Sequence, residues 1–329
     1  MNSRFRSSFG LLSLAFIVTG CGSSTQNNVV TSSMLDTGSV TESVAFSPDG
    51  KFLAASTHLS PKTGDAVWLW DISQSITQPI AISLKGHTDN VTSVAFSPDS
   101  KTLATGSWDQ TVRLWNTSQP DAPPTVLTTT HYVRSVAFSP NGELLAAGGL
   151  YGDILVWQMQ QLNQAGNKPL IISGSADTIN SLTFSPDGRF LAAASHDAII
   201  YLWDVADLQA PPKKLQGHTL GATAVAFSPD SQTLASGGYH DSIRLWNVSD
   251  PTQGPTVFEA VDDTVNGLAF SPDGKQLASA YFLHKLVDIW SVDQPTAPPI
   301  ELAGHRGSVD FVAYSPDGKL LASASVDGS

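Results

Sequence analysis

Short apolar runs separated by polar turn residues recur along the chain. Each cycle opens on a run ending in Phe or Tyr: SVAF at 43–46, 93–96 and 135–138, SLTF at 181–184, AVAF at 224–227, GLAF at 267–270 and FVAY at 311–314. A proline turn follows, at Pro48, Pro98, Pro140, Pro186, Pro229, Pro272 and Pro316, and then a small-residue run such as LAAS at 53–56. Six cycles go on to a tryptophan-ended run: VWLW at 67–70, VRLW at 112–115, ILVW at 154–157, IYLW at 200–203, IRLW at 243–246 and VDIW at 287–290. Runs of this length, rich in β-branched and aromatic residues and bounded by turn formers, predict β-strands. In Ser-Pro-Asp-Gly the proline presets φ, the aspartate bonds nearby backbone and the glycine accepts positive φ, so the first two runs form a hairpin.

The first run is apolar on both faces, as in a strand sandwiched between neighbouring sheets. The second is small, leaving room for the tryptophan of the third, and a fourth strand follows, for example PIAISLK at 79–85. The turn prolines are spaced by 50, 42, 46, 43, 43 and 44 residues. A four-stranded unit of that length cannot bury both faces alone, so the units must stack on one another.

The pattern resembles the WD40 family over nearly everything after residue 28. The resemblance rests on the period near 43, the pairs Gly86-His87, Gly217-His218 and Gly304-His305, and the Trp-Asp endings Trp70-Asp71 and Trp203-Asp204. It implies an all-β, seven-bladed propeller over residues 29–329. The seventh blade is shared between 29–39 and 305–329 and is incomplete, because the last cycle reaches its second strand without a third strand or tryptophan. Either the product is truncated after Ser329, the preferred reading, or the N-terminal strand over 29–35 moves inward and pairs directly with 319–326.

Residues 1–20 have a charged start at Arg4 and Arg6 and an apolar run over 9–18, the layout of a secretory signal. The run is too short to span a bilayer, which takes about 20 residues. Val18-Thr19-Gly20-Cys21 resembles a bacterial lipobox, implying cleavage before Cys21, lipidation of Cys21 and a flexible tether over 21–28. The expected location is the cell envelope outside the cytoplasm, the membrane being reached through the lipid; Gly22 in place of aspartate favours the outer membrane.

Net charge is −12, and the acidity argues against a nucleic-acid partner, which demands a basic surface. Cys21 is the only cysteine, so no disulfide forms within the chain. His87, Ser107 and Asp109 have the residue types of a hydrolase triad. In the family, however, a histidine before the first strand, a serine in the second, an aspartate after it and a tryptophan in the third form a structural relay, here His87, Ser107, Asp109 and Trp115. The second blade alone matches in full; in the fifth, Gly238 and His240 stand at the serine and aspartate positions. No ligand spacing for a metal appears, no catalytic residue is assigned, and no cofactor is implied.

Loops before first strands and after second strands share one rim, which in the family is the usual binding surface. Trp108, His131, Tyr132, His196, Tyr239 and Tyr281 are the partner-binding candidates there, since aromatic side chains anchor interfaces. The function implied is a lipid-anchored, non-enzymatic scaffold binding a protein or peptide. The alternative is a propeller enzyme or small-ligand or metal-binding propeller using channel-facing carboxylates, with Asp89, Asp177 and Asp263 at one rim position in alternate blades.

Overall fold

The computed structural model describes residues 15–17, 31–33, 35–60, 64–75, 79–162, 168–258 and 262–329. Six blades follow one plan. Blade 1 places Thr41–Phe46, Phe52–Thr57, Val67–Asp71 and Ile80–Ser83 side by side in chain order, all antiparallel. Blades 2 to 6 repeat this with four consecutive strands each, their inner strands being Val91–Phe96, Val133–Phe138, Ile179–Phe184, Ala222–Phe227 and Val265–Phe270.

The expected seven blades, with the last lacking its third strand, are corrected by this architecture. The repeat plan builds six blades. Between blades 6 and 1 lies a composite sheet, ordered Val309–Tyr314, Leu320–Ser325, Ala15–Ile17 and Thr31–Ser33. Its third position is therefore filled, and from the far end of the chain. Phe16 stands opposite Leu321 and Ile17 opposite Leu320, so Phe16 takes the register that Trp290 holds opposite Leu277 in blade 6.

Of the expected leader over 1–20, Ala15–Ile17 is the described part. Ala15–Ile17 pairs with Leu320–Ser325 on one side and with Thr31–Ser33 on the other, so part of the segment expected to be discarded is an interior strand of the closing sheet. Cys21 and the tether over 21–28 lie outside the described residues.

Each hairpin is locked by its turn. In blade 1 Ser47 Oγ donates to Asp49 Oδ1 (2.7 Å) and accepts the Phe52 N–H (2.8 Å), while Asp49 Oδ1 also accepts the Lys51 N–H (3.1 Å). The hydroxyl-to-side-chain bond recurs in the other six turns. In the last of them the Ser315 hydroxyl, with Lys319, draws the Asp317 carboxyl down to about 2. Glycine takes the left-handed position of the blade 1 turn (Gly50, φ 72°), but blades 2 and 5 place Ser100 (φ 61°) and Ser231 (φ 62°) there. Both serines use the hydroxyl between blades: Ser100 Oγ accepts the Asp49 N–H and Ser231 Oγ the Asp187 N–H, each at 3.0 Å.

The core is divided into seven clusters, each straddling two neighbouring sheets. Trp203 of blade 4 packs among Ile154, Val156 and Ile172 of blade 3, and Trp115 of blade 2 among Val67, Leu69 and Leu84 of blade 1. Among the described residues, the seam between the closing sheet and blade 1 holds Val44, Leu53, Ala55, Trp70, Ala322 and Ala324.

Candidate functional site

One irregularity of the inner strands builds the channel. Each carries a bulge at its second residue, as between Thr41 and Ser43 or between Val309 and Phe311. The same shift occurs in the other five. A bulge leaves one residue unpaired and re-aims it. The residues so released are Glu42, Thr92, Arg134, Asn180, Thr223, Asn266 and Asp310, and all seven line one cavity of about 570 Å³ at the channel mouth.

Four of these residues tie their blade to the next by donating to a backbone carbonyl. Thr92 Oγ1 donates to Val133 O (2.8 Å), Asn180 Nδ2 to Ala222 O (2.8 Å), Thr223 Oγ1 to Val265 O, and Asn266 Nδ2 to Val309 O (3.2 Å). Glu42 and Asp310 are ionisable acids and cannot play that part when charged. Glu42 Oε1 meets His58 Nε2 at 2.6 Å, and Asp310 Oδ1 accepts from Asn266 Nδ2 (2.9 Å) and Ser308 Oγ (3.4 Å). Burial, helped by the Glu42 charge, pushes the Asp310 carboxyl up to about 7.

The rim gathers most of the aromatic candidates but not all. Trp108 stacks on Tyr132 with ring centres 6.1 Å apart, and His196 meets Tyr239 edge-on at 5.6 Å. His131 turns to Tyr151 at 4.5 Å. Trp108 and Tyr239 line the mouth itself. Tyr281 does not reach the rim: it is 0 % exposed, packed with Phe258 and Trp290, its hydroxyl accepting from Ser279 Oγ at 3.1 Å. Blade 6 instead presents Phe282 and Leu283, 50 % and 53 % exposed, and the closing sheet presents Val326. The signal for them was available, because Trp108, His196 and Tyr239 each directly follow the second strand, as Phe282 does once that strand is seen to end at Tyr281.

The histidine relay exists with one member exchanged. His87 Nδ1 lies 2.7 Å from Asp109 Oδ2, but His87 Nε2 meets Thr105 Oγ1 at 2.7 Å, and Trp115 Nε1 donates to Thr105 Oγ1 at 2.9 Å. Ser107 is not in the relay: it donates to Asn90 O (2.8 Å) and accepts the Asp109 N–H (3.0 Å). Burial holds the His87 imidazole below its ordinary value despite Asp109. A neutral ring with the proton on Nδ1 donates to the carboxylate and accepts from threonine, so every group is satisfied and none is left to attack a substrate. Blade 5 has a complete relay too, correcting the expectation for Gly238 and His240. Ser236 Oγ bridges His218 Nε2 (2.7 Å) and Trp246 Nε1 (2.8 Å), and Asp241 Oδ2 meets His218 Nδ1 (3.0 Å).

The alternative built on channel carboxylates is corrected as well. Asp263 is buried and accepts the N–H groups of Leu283 and His284 together with His284 Nδ1. Asp177 and Asp89 bond their following amides, Thr178 and Asn90. The three do not converge, and among the described residues no group of three His, Cys, Asp or Glu side chains could hold a metal ion.

The model of the WD domain, G-beta repeat, matches residues 78–116, 124–158, 166–204, 209–247, 255–291 and 297–329, more than half of the chain. The chain belongs to the WD40 repeat family. Its triad-like residues are spent on structure. It is similar to the target of rapamycin complex subunit wat1 of Schizosaccharomyces pombe, 43% identical over 77 residues, 23% of this chain and 22% of that one. The guanine nucleotide-binding protein subunit beta of the same yeast is 42% identical over 76 residues, again 23% and 22%. A ribosome biogenesis protein WDR12 homolog of Drosophila mojavensis is 38% identical over 56 residues, 17% and 13%. Each match therefore spans less than a quarter of the relative's length. These WD40 relatives are eukaryotic complex subunits and a biogenesis factor, not bacterial lipoproteins. On that comparison the expected lipid anchor at Cys21, the membrane contact and the envelope location do not stand.

Two outcomes are expected. Thr105→Val leaves two buried groups, His87 Nε2 and Trp115 Nε1, without a partner and costs about 2–4 kcal/mol, against about 1 kcal/mol for Ser107→Ala, as chemical denaturation would measure. Because the folded pKa of Asp310 lies above the unfolded value, its contribution is full below about 4 and is lost as pH rises toward 7. Asp310→Asn should therefore gain thermal stability over wild type more at pH 8 than at pH 5, in paired melting curves.

Proposed function

We propose that the protein is a non-catalytic interaction scaffold that holds a polypeptide partner over the channel mouth. The observation carrying this reading is the collar of Trp108, Tyr239, Phe282, Leu283 and Val326 around a cavity of about 570 Å³. Large apolar side chains held in water at the exits of rigid strands cost solvation unless something covers them, and such clusters mark interaction sites. The polar channel wall beneath supplies orientation, as the few polar groups of a binding cleft do. Two of the relatives are named as subunits, one of the target of rapamycin complex and one of a guanine nucleotide-binding protein, which supports a role in assembly.

The test compares partners recovered with the wild-type chain, with Trp108→Ala, with Phe282→Ser and with Ile300→Ser, whose site is an exposed position on an outer strand away from the mouth. Truncating an anchor residue typically costs about 2 kcal/mol, roughly 30-fold in affinity. The same partner is expected to be lost from both mouth variants and kept by Ile300→Ser. Retention by both mouth variants with loss from Ile300→Ser would overturn the reading.

A further inference from the structure

The seven bulge residues lining the channel are not interchangeable. Four of the five bulge residues that can donate, Thr92, Asn180, Thr223 and Asn266, tie neighbouring blades, while the fifth, Arg134, is exposed in the channel. The closing sheet and blade 1, adjacent in the ring, place the acids Asp310 and Glu42 at this position instead. This is poor for stability, since the Asp310 carboxyl sits in a partly dehydrated wall and the Glu42 charge raises the cost of ionising it further. Both donors recorded on Asp310 reach Oδ1, and among the described residues Oδ2 receives none. Residues that break a local structural rule at a net cost are expected where the chain has a function to serve.

The surroundings narrow what that function is. Glu42 and Asp310 line the same cavity, and the collar on their side is the most apolar part of the rim, with Phe282 and Leu283 from blade 6 and Val326 from the closing sheet. Other ionisable groups of the cavity are Arg134, across the channel on blade 3, and His240 on blade 5, while His58 holds Glu42 from outside the lining. The chain as a whole carries −12, so the long-range field attracts a cation to the same mouth. Resting on the scaffold reading above, we propose that the partner segment lowers one cationic side chain, arginine or lysine, between Glu42 and Asp310 while aliphatic neighbours in that segment cover Phe282, Leu283 and Val326. A guanidinium or ammonium there supplies the hydrogen-bond donors that the other bulge positions carry in their own side chains, and neutralises two like charges at once.

The proposal has a signature that simple apolar docking lacks. A cation favours the ionised form of Asp310, so binding near pH 7 expels a proton and affinity rises with pH through that region. The experiment is calorimetric titration of the full chain with an end-blocked Ala-Leu-Arg-Leu-Ala peptide and with the same peptide carrying citrulline, the neutral isostere, in place of arginine. The arginine peptide should bind at least tenfold more tightly than the citrulline peptide. Its apparent enthalpy at pH 7 should differ between phosphate and Tris by the ionisation heat of the released proton. Asp310→Asn and Glu42→Gln, each checked for native circular dichroism, should each reduce the preference for arginine at least threefold, and the double variant should abolish it. Equal affinities for the two peptides, no saturable binding of either, or an unchanged preference in the folded double variant would overturn the proposal. If partners of the mouth are lost from Phe282→Ser yet fully retained by Asp310→Asn, the scaffold reading survives and the cation pocket does not.

Discussion

Every sheet in this molecule is apolar on both faces, and that single constraint organises the rest. A four-stranded unit with Leu69 and Val67 on one side and Trp70 on the other has no way to shield both from water except by lying between two similar units. The protein accordingly has no central core. Its apolar interior is distributed over seven seams, each owned jointly by two neighbours, and the axis is left free to be polar. That division explains why the channel wall can carry threonine, asparagine and carboxylates without cost to the packing: the residues that reach it are the bulged ones, which the seams do not use.

The relay histidines follow from the same geometry. Small second-strand residues make room for the tryptophan, and the tryptophan brings a buried indole N–H that must find an acceptor. Thr105 and Ser236 provide one in blades 2 and 5, and Ser279 does so in blade 6, where the Tyr281 hydroxyl replaces the histidine. In blade 4 a chain of Ser195, Ser175, Asp197 and Tyr201 leads the network to the same aspartate position. Blades 2, 5 and 6 differ in chemistry while satisfying one demand, which is why residue types resembling a catalytic triad here mark packing.

Much of the strand order was legible in the chain because period-2 runs, proline turns and tryptophan spacing all agree in six cycles. What could not be read was anything depending on contacts between distant segments. Ala15–Ile17 carries the composition of a leader, and only its pairing with Leu320 and Leu321 reveals a strand. Thr105 and Ser107 lie on the same face of one strand, two residues apart, and only the position of the Trp115 indole distinguishes them. Tyr281 directly follows a small-residue run, and only its pairing with Val265 shows that it belongs to the strand and that Phe282 begins the rim loop. The bulges, which create the channel wall, leave no signature in composition at all.

The composite sheet couples the two ends of the polypeptide, with a consequence for biosynthesis. Ile17 leaves the ribosome about 300 residues before Leu320, its partner in the ladder. At roughly 5–20 residues per second that is on the order of 15–60 s during which the first strands wait, and blade 1 keeps one apolar face bare. Ring closure thus waits until Leu320–Ser325 has been made, and until then the nascent chain offers chaperones a defined sticky surface.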